Sequence, residues 1–287
     1  MKAMIVGVFT PNSTTIWQAK GFKNIGLEII TYDYRQKLME IGRLRTKKEI
    51  VYICREEKPD FILYVKCNRV RVETITETNK ICPSAFWYMD NIWGINEELI
   101  LKMKECNYVF CSRYDGIDEA KKHNNNTYFL QEGYDPSIHH PIETPYIRDV
   151  AFIGSVRRRY RKRFAQRMNF DVFTNSYGLE HSKIVSETKI NLNFSEGDGT
   201  SNRTYKILAA KGFLLTQPWK GIEDDWEIGK HLDTFNNQKE LSYKIQYYLE
   251  NDKKREEIAE AGYQHVKQYD NNNFARRITD MVTKNRV

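Results

Sequence analysis

Residues 203–216 read RTYKILAAKGFLLT, a short helical pattern that ends at a glycine and is followed at once by an apolar strand pattern. Gly212 is the kind of residue expected where a helix stops and a strand begins. The two cations at the helix start, Arg203 and Lys206, are unusual there, because the positive end of a helix dipole favours an anion. This stretch predicts a helix–strand unit of an α/β fold and suggests that its cations meet an anion.

The same alternation of strand and helix patterns extends in both directions along the chain. Each strand pattern is a short, nearly continuous apolar run, which is typical of parallel strands buried on both faces by helices. Six runs lie before residue 132: AMIVGVF, LEIITYDY, FILYVK, SAFWYM, YVFCS and TYFLQ. Five more lie after residue 149: VAFIGS, FDVFT, KINLNFS, GFLLT and HLDTF.

The two series of strand patterns are separated by EGYDPSIHHPIETPYIRD, residues 132–149, which holds three of the seven prolines and has no periodicity. Such a stretch is typical of a linker. We predict a first domain over 1–140, a linker over 141–148, a second domain over 149–270, and a C-terminal helix over 271–287 that packs back on the first domain. Two tandem doubly wound domains would face a cleft at the carboxyl ends of their strands, where such folds bind ligands.

Composition excludes several classes of protein. The 287 residues are 40% hydrophobic, which is normal for a globular protein, yet no run approaches the ~20 apolar residues that span a bilayer. The N-terminus enters a strand pattern at once, without the regions of a signal peptide, so we predict a cytoplasmic protein. The five cysteines form no CxxC pair, and we expect buried free thiols rather than zinc ligands or disulfides.

The positive charge of the chain is local. The stretch RRRYRKR, Arg157 to Arg163, carries six positive charges, and removing them from the formal net charge of +7 leaves only +1. Successive helical residues point about 100° apart, so at most two or three of these side chains face one ligand. We assign Arg157 and Arg158 to the cleft and predict an outward patch at residues 161–163, which either guides a polyanion or is only solvated surface.

Motifs for common phosphate ligands are absent from the sequence. Neither GVFTPNS nor FIGSVRRR contains the glycine pattern of a dinucleotide site, and no Walker A spacing occurs. No Asp-x-Asp pair occurs either, which argues against a metal-clamped nucleotide. These observations favour an anion held by helix N-termini and basic side chains without an obligatory metal.

The stretch RTYKILAAKGFLLT, with the following GIEDDWEIGKHLDTFNNQKELSYKIQYYLENDKKREEIAEAGYQHV, resembles the C-terminal domain of CgeB-like glycosyltransferases. Weaker similarities lie at KPDFILYVK, FWYMDN and YFLQEGYDPSIHHP. The resemblance implies a GT-B fold of two Rossmann-like domains. It also implies transfer of a sugar from a nucleotide-sugar donor, UDP- or GDP-linked, held mainly by the second domain, to an acceptor held mainly by the first.

The resemblance assigns the donor diphosphate to two helix starts and the cations beside them. Arg203 matches the arginine at the helix start of the family, and a planar guanidinium can contact two phosphate oxygens at once. A simpler alternative pairs Arg203 with Glu196 or Asp198. Lys206 stands where relatives have a glutamate that contacts the ribose hydroxyls. Three explanations are open: Lys206 adds a second positive charge for the phosphates, the donor binds in a different position, or the activity of this protein has changed. The predicted donor residues are Gly154, Ser155, Arg157, Asn202, Arg203, Thr204 and Lys206.

The first domain offers one candidate catalyst. Asp90, in FWYMDN at the end of the fourth strand pattern, would deprotonate the acceptor if the reaction inverts the sugar carbon. Alternatively, Asp90 caps the helix that starts near Asn96, or ends a turn. Thr10, Asn12 and Ser13 in the first loop are candidate acceptor contacts. The histidines at 139 and 140 are expected to be surface or hinge residues.

Two other classes of function remain open at this level. A sugar- or polymer-binding protein that kept the fold but lost the chemistry is favoured by Lys206. A glycosyltransferase or binding module directed at nucleic acid is favoured only by RRRYRKR, without any known nucleic-acid-binding motif. The acceptor is expected to be an anionic glycan, polymer or nucleic acid if the basic patch is used, and no cofactor beyond the donor is predicted.

Overall fold

The computed structural model describes residues 1–90, 96–157, 159–168, 170–194 and 199–284. The chain divides into two compact units. Unit 1 comprises Met1–Glu132 together with the chain from Asn271 onward, and unit 2 comprises Gly133–Asp270.

Unit 1 contains a six-stranded parallel sheet in the order β2-β1-β3-β4-β5-β6. Its strands are β1 (Lys2–Gly7), β2 (Glu28–Asp33), β3 (Phe61–Val65), β4 (Ser84–Tyr88), β5 (Tyr108–Cys111) and β6 (Thr127–Phe129). The helices between them are α1 (Thr14–Asn24), α2 (Tyr34–Glu57), α3 (Val72–Asn79), α4 (Glu97–Glu105) and α5 (Tyr114–Lys121).

Unit 2 contains a five-stranded parallel sheet in the order β11-β10-β9-β7-β8. Its strands are β7 (Arg148–Ile153), β8 (Asp171–Phe173), β9 (Thr188–Asn193), β10 (Leu214–Thr216) and β11 (Asp233–Thr234). Its helices are α6 (Arg159–Arg167), α7 (Gly178–Ser186), α8 (Asn202–Ala209), α9 (Ile222–Asp225), α10 (Gln238–Glu250) and α11 (Asp252–Val266), followed by a 3₁₀ turn, Lys267–Tyr269.

The apolar runs of the sequence form the strands because both faces of each sheet are covered. Every residue of β3 and β4 is buried, and the side chains alternate between separate apolar clusters on opposite faces of the unit 1 sheet. The unit 2 sheet has the same arrangement, with one cluster around Leu214 and another around Leu215. The predicted α/β class, with two doubly wound parallel sheets, is confirmed.

A last helix, α12 (Asn271–Thr283), completes unit 1. Phe274 enters an aromatic cluster, with its ring 5.1 Å from that of Trp87 and 6.3 Å from those of Trp17 and Phe22. The helix lies so close to α1 that a β-carbon on Gly21 would fall 2.1 Å from the carbonyl oxygen of Asn271. The backbone of α1 and the start of α12 therefore touch directly.

The boundary between the units lies earlier than the sequence predicts. Residues 133–140, predicted to end the first domain, belong to unit 2. Tyr134 N donates to the carbonyl of Tyr269, and Ser182 Oγ donates to the carbonyl of Ile138 at 2.9 Å. These hydrogen bonds tie a segment that looks like a linker in the sequence onto the body of unit 2.

All five cysteines are free and buried, as expected. Burial raises the pKa of Cys106 and Cys111 to about 12, so both are thiols at neutral pH. Within the described residues, none of the helices has the length and apolar character needed to cross a membrane.

Candidate functional site

Unit 2 has a cavity of about 470 Å³ at the carboxyl edge of its sheet. Its wall is formed by residues 153–157 at the end of β7, residues 174–177 after β8, and four side chains from two helices. Because β7 and β8 are adjacent parallel strands, the loops that follow them open at the same edge. The four helical residues are His181, Asn202, Arg203 and Lys206.

Gly154 makes the floor of the cavity possible. Its φ of +155° lies in a region that side chains disfavour, and a β-carbon there would be 2.5 Å from a terminal nitrogen of Arg203 and 2.9 Å from the Phe152 ring. Only glycine lets the guanidinium approach the end of β7 this closely.

Arg203 is held rigidly in the cavity wall. Its Nε donates to the carbonyl of Ile153 at 2.6 Å, and one terminal nitrogen donates to Oδ1 of Asn193 at 2.6 Å. The guanidinium also lies 5.0 Å above the ring of Phe152. Arg203 thus turns from the helix start towards carbonyl groups at the strand ends. The alternative partners, Glu196 and Asp198, lie outside the described residues.

The cavity is cationic. Arg157, Arg203 and Lys206 all line it, and no carboxylate occurs among the described residues of its wall. Lys206 lies one helical turn beyond Arg203, and its charge helps to lower the pKa of two buried histidines nearby. Such a wall is complementary to an anion with several oxygen atoms, since guanidinium and ammonium groups form charge-assisted hydrogen bonds with them.

Six of the seven predicted donor residues line this cavity: Gly154, Ser155, Arg157, Asn202, Arg203 and Lys206. Thr204, the seventh, is not part of the cavity wall. Thr204 is fully buried and is absent from the cavity wall, because it points about 100° around α8 from its neighbour Arg203.

The outward patch predicted at residues 161–163 is present only in part. Arg161 donates to the carbonyls of Ser155 and Phe194, at 3.3 and 3.0 Å, so it braces the strand ends beneath the cavity. Lys162 and Arg163 are exposed. Arg158, also assigned to the cleft, lies outside the described residues.

Two buried histidines, His181 in the cavity wall and His139 beside it, were not predicted as site residues. His181 is 5% exposed and His139 only 2%, so His139 is not the surface residue that its sequence context suggests. Their rings meet edge to face with centroids 6.1 Å apart, and the backbone N–H of Asp135 donates to His139 Nδ1. Burial, then the charge of Lys206, lowers the pKa of His139 to about 3 and that of His181 well below its ordinary value. Both rings are therefore neutral.

Unit 1 presents a different group of residues at its sheet edge. Lys66 follows β3, Asp90 follows β4, and Lys66 Nζ donates to Asp90 Oδ1 at 2.6 Å. Asp90 does not cap α4, as the alternative interpretation had it, because Asn96 caps that helix by accepting from the backbone N–H of Leu99. Lys66 was not predicted, since a lysine after a strand pattern carries no distinctive signal.

The loop after β1 holds the predicted acceptor contacts. Thr10 and Asn12 are exposed, and Ser13 stands at the N-cap of α1, where its N–H donates to the carbonyl of Thr10. Because β1, β3 and β4 are consecutive parallel neighbours, this loop and Asp90 lie at the same edge of the sheet.

Residues 137–283, slightly more than half of the chain, match the family described as "Glycosyl transferase-like", and the chain belongs to that family. No curated protein sequence matches it significantly. The GT-B fold is confirmed by solved structures that superpose over the whole chain.

Two of these structures illustrate the likeness. Anabaena Alr3699/HepE in complex with UDP-glucose has a TM-score of 0.72 at 10% identity, covering 99% of this chain and 100% of its own. A glycosyltransferase from Rickettsia africae has a TM-score of 0.72 at 12% identity, covering 99% and 98%. At these identities the likeness establishes the fold alone.

Proposed function

We propose that this protein transfers a sugar from a nucleotide-sugar donor whose diphosphate binds in the unit 2 cavity. The observation that carries the proposal is the cavity itself, in which Arg157, Arg203 and Lys206 surround the glycine turn after β7. Membership of the Glycosyl transferase-like family supports it.

The chemistry of the reaction explains why these residues are suitable. A nucleoside diphosphate leaves with negative charge growing on its oxygens, and fixed cations lower the energy of that state. Arg203 is already oriented by Ile153 and Asn193, so little reorganisation accompanies binding. The three cations would neutralise the diphosphate, which makes a metal-independent enzyme the natural form of this proposal.

The UDP-linked hexoses are the donors that we favour. The support is the UDP-glucose complex of the structurally similar HepE protein. The likeness of the C-terminal sequence to CgeB-like glycosyltransferases points to the same class of donor. Tyr177, half exposed at the cavity wall, offers a ring on which the nucleotide base would stack.

For the acceptor side, we propose Asp90 as the base and Thr10, Asn12 and Ser13 as contacts. The ion pair with Lys66 would orient the carboxylate for proton abstraction. This role applies to an inverting reaction, because a retaining reaction does not need a base of this kind.

The test is calorimetric titration with UDP, GDP and UDP-glucose, followed by a donor-hydrolysis assay with and without EDTA. We expect UDP to bind and UDP-glucose to be hydrolysed slowly at a rate that chelation leaves largely intact. Absence of nucleotide binding would refute the donor site. Loss of turnover in EDTA, restored by magnesium or manganese, would refute metal independence.

A non-catalytic sugar- or polymer-binding protein is the second candidate, and Lys206 in the cavity favours it. A cation cannot accept hydrogen bonds from sugar hydroxyls, so the donor contacts of an active relative would be incomplete. The same hydrolysis assay separates the two candidates, because a pure binding protein leaves UDP-glucose intact.

A further inference from the structure

Helix α2 of unit 1 carries two large apolar or aromatic side chains on its outer face. Its inner face contacts the core of unit 1 through Ile50 and Cys54, which are fully buried and four residues apart. The outer face of such a surface helix is normally polar, because water covers it. Leu44 and Tyr52 nevertheless lie on this outer face, and they are 63% and 62% exposed.

Positive charges stand between and beside these two side chains. Residues at intervals of three or four lie on one side of a helix, and here they form an exposed stripe of Leu44, Lys48, Tyr52 and Arg55. Arg45, beside the stripe, is exposed as well. Neither Arg45 nor Lys48 forms an ion pair with any residue that the structure describes. Their charges are therefore available to an anionic partner.

A groove of about 380 Å³ between α2 and α3 extends this outer face. Leu44, Val51 and Tyr52 line it together with four cations, and Glu77 is the one carboxylate among the described residues of its lining, which leaves a net charge of +3. One of the four cations, Arg71, makes no ion pair within the described part of the chain. Apolar groups exposed beside charged groups in this way are typical of an interaction surface.

We propose that this outer face, the α2 surface formed by Leu44, Arg45, Lys48, Tyr52 and Arg55, docks on an anionic lipid surface. Lipid head groups complement the cations, and the apolar boundary beneath them accepts the leucine side chain and the tyrosine ring. Nucleic acid complements the charges but leaves the leucine in a polar environment. A lipid surface supplies both kinds of contact and requires no matching shape. The inference is independent of the donor site, which lies in unit 2.

The experiment measures co-sedimentation of the full chain with vesicles of phosphatidylcholine alone and of phosphatidylcholine mixed equally with phosphatidylglycerol. We expect wild type to bind only the mixed vesicles, and to bind them more weakly as salt rises. Each cation near an anionic surface contributes roughly fivefold to partitioning, so Arg45→Gln/Lys48→Gln should bind about 25-fold more weakly. Leu44→Gln/Tyr52→Gln keeps the charge but removes apolar contact, and its binding should fall about tenfold.

Two matched controls change the same residue types elsewhere. Lys162→Gln/Arg163→Gln removes two exposed charges from the other basic region, and Leu179→Gln/Tyr243→Gln replaces an exposed leucine and tyrosine of unit 2. Both controls should bind the mixed vesicles like wild type. Circular dichroism and thermal melting establish that each variant is folded.

Three results would overturn the inference. They are no binding of wild type to the mixed vesicles, equal losses in the α2 variants and their controls, and a loss confined to Arg45→Gln/Lys48→Gln. The same proteins are also titrated with polyglutamate and with single-stranded RNA. If wild type bound one of these polymers through Arg45 and Lys48 but did not bind the vesicles, the partner would be an acidic protein or a nucleic acid instead of a lipid surface.

Discussion

The carboxyl edges of the two parallel sheets carry opposite kinds of charge arrangement. In unit 2, a described wall with three cations and no carboxylate surrounds a cavity of about 470 Å³. In unit 1, a cation and an anion from adjacent strands neutralise each other, with side-chain exposures of 33% for Lys66 and 44% for Asp90. Similar topology thus gives different electrostatics: the unit 2 wall has excess positive charge that suits a bound anion, whereas the unit 1 pair has no net charge.

The largest effect should come from the unit 1 pair. Asp90→Asn keeps the shape of the side chain but removes the base, and such groups contribute roughly 10²- to 10⁴-fold to rate. We expect turnover of UDP-glucose with acceptor to fall by that factor, measured in steady-state kinetics, while UDP affinity stays unchanged. Asp149→Asn, another carboxylate paired with a lysine, is the control. An unchanged rate would show that Asp90 is not the base.

A substitution in the unit 2 cavity wall should weaken nucleotide binding and not only slow turnover. Arg203→Ala removes a charge-assisted contact worth about 1.5 to 3 kcal/mol, so UDP affinity should fall roughly tenfold to more than a hundredfold in calorimetry. Lys66→Ala, the same type of change at the other edge, should leave UDP affinity unaltered. Equal UDP affinities of the two variants would show that UDP does not bind specifically at the edge of the unit 2 sheet.

Acid should destabilise unit 2 through its histidine pair. His139 and His181 are neutral when folded but bind protons below pH ~6.5 when unfolded, so the unfolded state gains protons as the pH falls. The free energy of unfolding should therefore decline as the pH falls below 6.5, with a limiting slope of about 1.4 kcal/mol per pH unit for each histidine.

Urea unfolding of wild type and His139→Asn at several pH values measures this effect. At pH 8 the variant reports only its lost packing, because the histidine is neutral in both states there. Below pH 6.5 the variant should show a shallower decline than wild type. Parallel curves would mean that His139 does not stay neutral on folding.

The smallest effect should come from Lys162 and Arg163, the exposed part of the basic stretch. Exposed charges contribute at most about 1 kcal/mol each, so Lys162→Ala/Arg163→Ala should leave UDP affinity within about twofold. If a polyanionic acceptor binds there, its affinity should show a weaker salt dependence in the variant. The control is Lys239→Ala/Lys253→Ala, also exposed. Identical salt slopes would assign the stretch to solvated surface.

Residues placed at the cavity by the end of a strand or the start of a helix could be predicted from the sequence. Residues placed by contacts between distant parts of the chain could not. Gly154 and Arg203 stand where a strand ends and a helix begins, and local patterns locate both features. His139 lies in a proline-rich stretch that resembles a linker, and it is buried through contacts with α7, more than 40 residues away. Lys66 could not be predicted because its only distinguishing feature is its ion pair with Asp90, which follows the neighbouring strand.

The position of α12 in the chain has a consequence for biosynthesis. Phe274, Ala275, Ile278 and Val282 complete one apolar face of unit 1, yet they are translated after every residue of unit 2. Unit 1 therefore cannot complete this face until α12 has left the ribosome, although the strands of its sheet are translated first. Until then the surface that α12 covers stays open, and chaperone contacts with the newly made chain should concentrate on α1 and the β3–β4 face.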